Sequence, residues 1–95
     1  MVGGTSQQRE PTDEDREILS QIQGAVEEKT GQKYEVFDLV GVKTQVVAGL
    51  NFFFKVKVEN ESYIHLRVFR SLQQELSLHS LQQNKKIEDE LNYFE

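Results

Sequence analysis

The spacing of the apolar residues changes once along this chain, and that change constrains the fold more than any other feature. Before Gly31 the apolar positions recur at helical spacing, which predicts an amphipathic helix over residues 12–30. Thr12 can cap the first free N–H groups, acidic residues follow it at the positive end of the helix dipole, and Gly31 is a natural stop. The apolar set of this helix is Ile18, Leu19, Ile22 and Val26.

Downstream of the helix the apolar positions follow a period of two, which predicts antiparallel strands with hairpin loops over residues 33–94. Two segments alternate strongly and lie close in sequence, so we expect them to pair as an amphipathic hairpin. Their apolar positions are Phe52, Phe54, Val56, Val58, Ile64, Leu66 and Val68, and the polar positions between them include Lys55, Lys57, His65 and Arg67. A helix and a half-buried sheet cover each other's apolar faces, so the sequence predicts one α+β domain over residues 1–95.

The first eleven residues are small and polar and end at Pro11, the only proline in the chain. A segment that buries so little has no obvious role in folding, so residues 1–11 are predicted to form a flexible arm. The same residues lack the apolar core of a signal peptide, and the chain contains no cysteine. Both features favour a cytoplasmic, reducing location.

Charge and residue types argue against several classes of function. The formal net charge of −5 disfavours binding to nucleic acid or to an anionic membrane surface. No cysteine nucleophile and no Gly-x-Ser-x-Gly turn is present, so the sequence does not indicate an enzyme. His65 and His79 do not lie at metal-ligand spacing and are expected to be ordinary surface or structural residues. We therefore expect no metal and no cofactor.

The link between the first two predicted strands is unusually apolar. Hairpin loops are normally polar, but here Val46, Val47 and Ala48 precede Gly49, which can adopt a positive φ and close a tight turn. Val46 and Val47 point to opposite faces of an extended chain, so at least one of them should be exposed. Two interpretations stay open from the residues alone: the strand continues and both valines are core, or an exposed apolar turn meets a partner.

The residues around this link resemble a known family. Gln45-Val46-Val47-Ala48-Gly49 matches the cystatin signature, and further matches follow in the order found in stefins, the type 1 cystatins. These are Lys43-Thr44, Asn51-Phe52-Phe53, the segment 63–69 and the segment 89–94, with the glycine pair near residue 4 and Pro11 also in register. The resemblance covers essentially the whole chain, and the lack of cysteine favours stefins over disulfide-bonded cystatins.

The resemblance implies a cystatin-like fold, in which one long helix packs across a curled antiparallel sheet of four to five strands. It also implies a reversible, non-covalent inhibitor that blocks the active-site cleft of papain-like cysteine proteases such as cathepsins. The alternative is a non-inhibitory interaction or domain-swapping protein on the same scaffold. The active form is expected to be a monomer, with a domain-swapped dimer possible. The protease-binding residues carried over are Gly3, Gly4, Gln45, Val46, Val47, Ala48, Gly49, Leu72, Gln73 and Gln74.

The second loop departs from the stefin pattern. Stefins commonly have Leu-Pro where this chain has Leu72-Gln73, and the segment that follows is about three residues shorter than expected. Proline orders a loop before binding, so its absence predicts a smaller contribution to affinity from this loop, by about 1 kcal/mol.

Overall fold

The computed structural model of the chain describes residues 7–59, 61–92 and 94. One helix is followed by four strands that form an antiparallel sheet in the order β1-β2-β3-β4. This arrangement confirms the predicted α+β class and the packing of one helix against an antiparallel sheet. The elements are α1 (Asp13–Thr30), β1 (Asp38–Val47), β2 (Gly49–Glu59), β3 (Ser62–Arg70) and β4 (Leu76–Lys85).

Capping at both ends explains the limits of α1. The Thr12 hydroxyl accepts a hydrogen bond from the Asp15 N–H at 3.3 Å, and the Asp15 carboxylate accepts one from the Thr12 N–H at 2.8 Å. This reciprocal pair satisfies donors that the first helical turn leaves free. At the other end, Gly31 has a φ of 72° and donates its N–H to the Glu27 carbonyl at 2.8 Å. A left-handed glycine in this position is a common helix stop.

The first strand begins later than residue 33, because Tyr34 is tied to the end of α1. The Tyr34 N–H donates to the Glu27 carboxylate at 3.0 Å, and the Tyr34 hydroxyl donates to the Thr30 hydroxyl at 3.1 Å. The Tyr34 ring also stacks on Phe37 at 5.4 Å. These contacts hold the connection against the helix, and pairing with β2 starts only at Asp38.

The main core lies between α1 and the inner face of the sheet. The apolar positions that the helical and alternating patterns pick out are all buried there. Burying each such side chain stabilises the fold by about 1.5–3 kcal/mol. The buried cluster contains Ile18, Leu19, Ile22, Val26, Val42, Phe52, Phe54, Val56, Val58, Ile64, Leu66 and Val68.

The outer face of the sheet is also covered, which the alternating pattern did not predict. Lys55 is only 3% exposed, because the segment after β4 crosses this face and accepts hydrogen bonds from its ammonium group. The acceptors are the carbonyls of Ile87, at 2.8 Å, and Asp89. Farther along the same segment, Leu91 is fully buried and the Phe94 ring meets Phe53 edge-on at 5.7 Å. Residues 86–92 and 94 are called the outer strap below.

His65 lies on this covered face and is 1% exposed. Burial lowers its pKa to about 4, and the positive charges of Lys55 and Lys85 act in the same direction. Within the described part of the chain its Nε2 atom has no hydrogen-bond partner. His65 is therefore neutral at pH 7 and serves as a structural histidine.

Part of the predicted flexible arm is anchored to the domain. Arg9 forms an antiparallel bridge with Val42, and the Gln8 side chain packs so closely over Gly41 that a Cβ atom there would collide with it. The Arg9 guanidinium pairs with Asp15. Residues 8 and 9 therefore have a structural role, which differs from the expectation of a free arm over residues 1–11.

Among residues 7–59, 61–92 and 94, no helix combines the length and apolar character needed to cross a bilayer.

Candidate functional site

The β1–β2 hairpin turns within a single residue beyond its last pair. Val46 lies opposite Leu50 and Val47 lies opposite Gly49, so Ala48 alone forms the tip. Gly49 has a φ of 120°, and a Cβ atom built on it would lie 2.6 Å from the Arg70 carbonyl oxygen. Both the backbone angle and the close approach of β3 require glycine at this position.

The pleat of this hairpin presents an apolar surface at its tip. Val46 is 64% exposed, Ala48 is exposed, and Val47 is half-buried between them. The prediction that at least one of the two valines is exposed is therefore confirmed, and the interpretation that places both in the core is wrong for Val46.

Gln45 is part of the signature but is not a surface residue. It is 5% exposed, and its side-chain oxygen accepts a hydrogen bond from the Asn51 amide at 2.9 Å. Asn51 is itself 2% exposed and faces Gln45 across the hairpin. The two amides brace the strands directly below the exposed tip, because a buried hydrogen-bonded pair fixes the distance between them. The sequence pattern did not distinguish this bracing role from direct contact with a partner.

The β3–β4 hairpin forms the second predicted loop and is a closed three-residue turn. The Gln74 N–H donates to the Ser71 carbonyl at 2.9 Å, and the Ser71 N–H donates to the Glu75 carbonyl at 2.9 Å. The Ser71 hydroxyl also accepts from the Glu75 N–H at 3.1 Å. Among these residues only Gln74 has a positive φ, of 71°. This combination is a type I turn followed by a left-handed residue.

This geometry changes the interpretation of the missing proline. Gln73 occupies the third position of the type I turn, where proline is disfavoured because it would force Leu72 out of its right-handed conformation. Hydrogen bonds to Ser71 order the shorter loop instead. Leu72 stays 73% exposed at the tip. The loop is thus ordered by hydrogen bonds and needs no proline.

Both tips lie at the same end of the sheet. Leu50 at the start of β2 pairs with Arg70 at the end of β3, so the turn at Ala48 and the turn at Leu72 are neighbours. Arg70 supports this end from below: its guanidinium lies 5.2 Å from the Phe52 ring centre and 3.6 Å from the Glu14 carboxylate. Nothing in the sequence pattern indicated that supporting role.

The two tips carry the most exposed large apolar side chains of the described residues. Leu72 and Val46 exceed Ile87, at 56%, and Val36, at 39%. We call Val46, Val47, Ala48 and Leu72 the loop end of the sheet. Gly3 and Gly4, the other predicted contacts, lie outside the described residues. In the part of the chain that the structure describes, no cluster of three or more histidine or carboxylate side chains could hold a metal ion.

A helix on a four-stranded antiparallel sheet, with two apolar hairpin tips side by side, defines a small α+β protein with a cystatin-type architecture. The chain belongs to the cystatin family, since the cystatin domain matches residues 3–90. It is 45% identical to Cystatin-B of Homo sapiens and 42% identical to Cystatin-B of Bos taurus, each over 99% of both chains. It is 43% identical to Cystatin-A of Mus musculus over 97% of both chains. These relatives confirm the stefin resemblance, and the family implies inhibition of cysteine proteases.

Proposed function

We propose that the loop end of the sheet enters the active-site cleft of papain-like cysteine proteases and blocks it reversibly. The observation that carries the proposal is the exposure of Val46 and Leu72 on two adjacent, ordered tips. A large apolar surface at the end of a sheet is unfavourable in water unless a partner covers it. Family membership supports an inhibitor rather than an enzyme or a non-inhibitory scaffold.

The exposed fractions set the scale of the binding energy. Complete burial of a valine or leucine side chain is worth about 1.5–3 kcal/mol. Val46 and Leu72 still expose 64% and 73% of their surface, so covering each contributes about 1–2 kcal/mol. Each residue therefore accounts for about a tenfold change in affinity or somewhat more.

The predicted contacts divide into two roles. Val46, Val47, Ala48 and Leu72 touch the enzyme directly, together with the arm at Gly3 and Gly4. Gln45 and Gly49 act indirectly, because one braces the strands and the other allows the turn. Gln73 and Gln74 are both exposed and complete the rim of the second tip. The inhibitor supplies no reacting group, so binding is non-covalent.

The monomer is the proposed inhibitory form. In a domain-swapped dimer the first hairpin would open, and the pairs Val46–Leu50 and Val47–Gly49 that hold its tip together would be lost. The part of the loop end that Val46, Val47 and Ala48 form exists only while that hairpin is closed.

Titration of papain with the purified monomer tests the proposal. We expect reversible inhibition, weakened about fivefold by Val46→Ala, since two largely exposed methyl groups are removed from the contact. Ile87→Ala is a matched control, because Ile87 is comparably exposed but borders Glu61 and Tyr63 at the opposite end of the sheet. Full papain activity at a large molar excess of the wild-type chain would contradict inhibition. Equal effects of the two substitutions would contradict the loop end as the contact.

A further inference from the structure

The two edges of the sheet differ in how they are covered. β1 forms one edge, where Val42 is fully buried and exchanges backbone hydrogen bonds with Arg9 at 2.8 and 3.1 Å. β4 forms the other edge, and each of its residues, from Leu76 to Lys85, is at least partly exposed. Among the described residues, the backbone hydrogen bonds outside the helix and the sheet pairing include none to β4. The N–H and C=O groups on its outer side are therefore open to another strand.

The sequence of β4 lacks the residues that usually protect such an edge. The run from Leu76 to Asn84 contains no aspartate, glutamate, lysine, arginine or proline. Charged side chains and proline on an edge strand disfavour pairing with a second chain. Only Lys85, at the very end of β4, carries a charge of this protective kind.

Three leucines on the inner side of β4 are incompletely covered. Leu76, Leu78 and Leu81 pack against the core, but each keeps part of its surface in contact with water. Leu78 pairs with Val68 of β3 and Leu81 pairs with Leu66, and both of these partners are fully buried. A further strand beside β4 would cover more of the leucine surface, and burial of apolar surface favours association.

A second copy of β4 fits this edge. When two copies pair antiparallel across a two-fold axis, their leucine sides lie on the same face of the joined sheet. Because the run from Leu76 to Asn84 is uncharged, self-pairing brings no like charges together along it. A patch that binds its own copy about a two-fold axis also closes the assembly at two molecules.

The one irregularity of β4 does not prevent this pairing. Arg67 pairs with Ser80 and Val68 pairs with Leu78, so His79 is an extra residue that makes a bulge against β3. His79 lies near the middle of the strand. In a two-fold arrangement the bulges of both copies fall near the axis, and the runs on either side of them meet each other.

We propose that β4 pairs antiparallel with β4 of a second copy of this chain and joins the two sheets into one. β4 begins beside the turn that carries Leu72, and an antiparallel pair sets the start of one strand against the end of the other. The two loop ends therefore lie at opposite ends of the joined sheet, and the dimer keeps both of them. This association does not require protease binding and does not open the first hairpin.

Sedimentation equilibrium of the full chain at pH 7 tests the proposal. A single strand pair is a small interface, so we expect a reversible monomer–dimer equilibrium between about 10 µM and about 1 mM. The edge variant combines Ser77→Lys with Gln83→Lys, at two exposed positions of β4. We expect it to weaken dimerisation about tenfold, because like charges on paired strands repel each other.

Ser20→Lys combined with Gln23→Lys is the matched control. These positions have the same residue types as the edge pair, and the two variants change the net charge equally. Ser20 and Gln23 border Asp38 and Leu39 of β1, on the side of the molecule away from β4. We expect the control to leave the dimer dissociation constant unchanged. Urea unfolding checks every protein, and Ser77→Glu with Gln83→Glu replaces the edge variant if the lysine pair unfolds the chain.

Several results would overturn the inference. The first is a wild-type chain that stays monomeric up to about 1 mM. The second is a dimer that both lysine pairs weaken equally, or that neither weakens, because β4 would then not be the contact. The third is a dimer that persists on dilution, since a domain-swapped dimer separates only when the exchanged parts unfold. Failure of both edge variants to fold would also overturn it, because the exposed side of β4 would then serve the monomer.

Discussion

Buried His65 predicts that the domain loses stability in mild acid. Its pKa falls from the ordinary 6.5 to about 4 in the folded chain, so the unfolded chain binds a proton more readily. The contribution of His65 to stability therefore falls as the pH drops from 6.5 toward 4 and changes little above this range. One pKa unit corresponds to 1.36 kcal/mol, which gives a total loss of about 3 kcal/mol. Between pH 7 and pH 5 the expected loss is about 2 kcal/mol.

Urea unfolding at pH 7, 6 and 5 measures this effect. The window lies above the range in which Asp15 titrates, since the lowered pKa of that carboxyl moves its contribution to more acidic solution. His65→Gln removes the titrating group and should remove most of the loss. His79→Gln is the matched control, because His79 is exposed beside Phe69 and should leave the pH dependence as it is in the wild type.

Two results would refute this reasoning about His65. The first is a wild-type loss below about 0.5 kcal/mol between pH 7 and pH 5, which would mean that the outer strap lets water or an anion reach the charged ring. The second is a His65→Gln variant with the full wild-type pH dependence, which would assign the titration to another group.

Two further substitutions test local backbone features by urea unfolding. Gln74→Gly should stabilise the chain by about 0.5–1 kcal/mol. Relief of the left-handed strain at Gln74 exceeds the conformational entropy that glycine adds to the unfolded chain. A loss of stability would contradict the assigned turn. Gly24→Ala should stabilise α1 by about 1 kcal/mol, because alanine favours the helix and a Cβ atom at Gly24 meets nothing within 4 Å. A neutral or destabilising effect would contradict the open space assigned to this position.

The parts of the fold that depend on local pattern were predictable from the sequence. Thr12 and Gly31 mark the ends of a helix by chemistry that acts within one turn. The alternation in β2 and β3 is strong enough to fix which face meets the helix, since a shift of one residue would expose the whole apolar set. The same alternation beside a glycine predicted that at least one of Val46 and Val47 is exposed, but it did not say which.

The parts that depend on distant contacts were not predictable. Lys55 is buried by carbonyls 32 and 34 residues away, and an alternating pattern says only that lysine lies on the other face. The burial of Gln45 depends on Asn51 across the hairpin, so the signature alone did not indicate it. The guanidinium of Arg9 is anchored by Asp15. The position of Asp15 in the first turn of the helix already explained its charge, so nothing in the sequence indicated that it also pairs with Arg9.

The bridge at Arg9 also covers part of the exposed edge of the sheet. β1 is an edge strand, and an edge strand offers free N–H and C=O groups to any other extended chain. At Val42, in the middle of that edge, both groups are already bonded within the same molecule. A strand from a second molecule could not pair along the full length of β1 without first displacing Arg9. The anchor thus protects the middle of this edge against intermolecular pairing and aggregation.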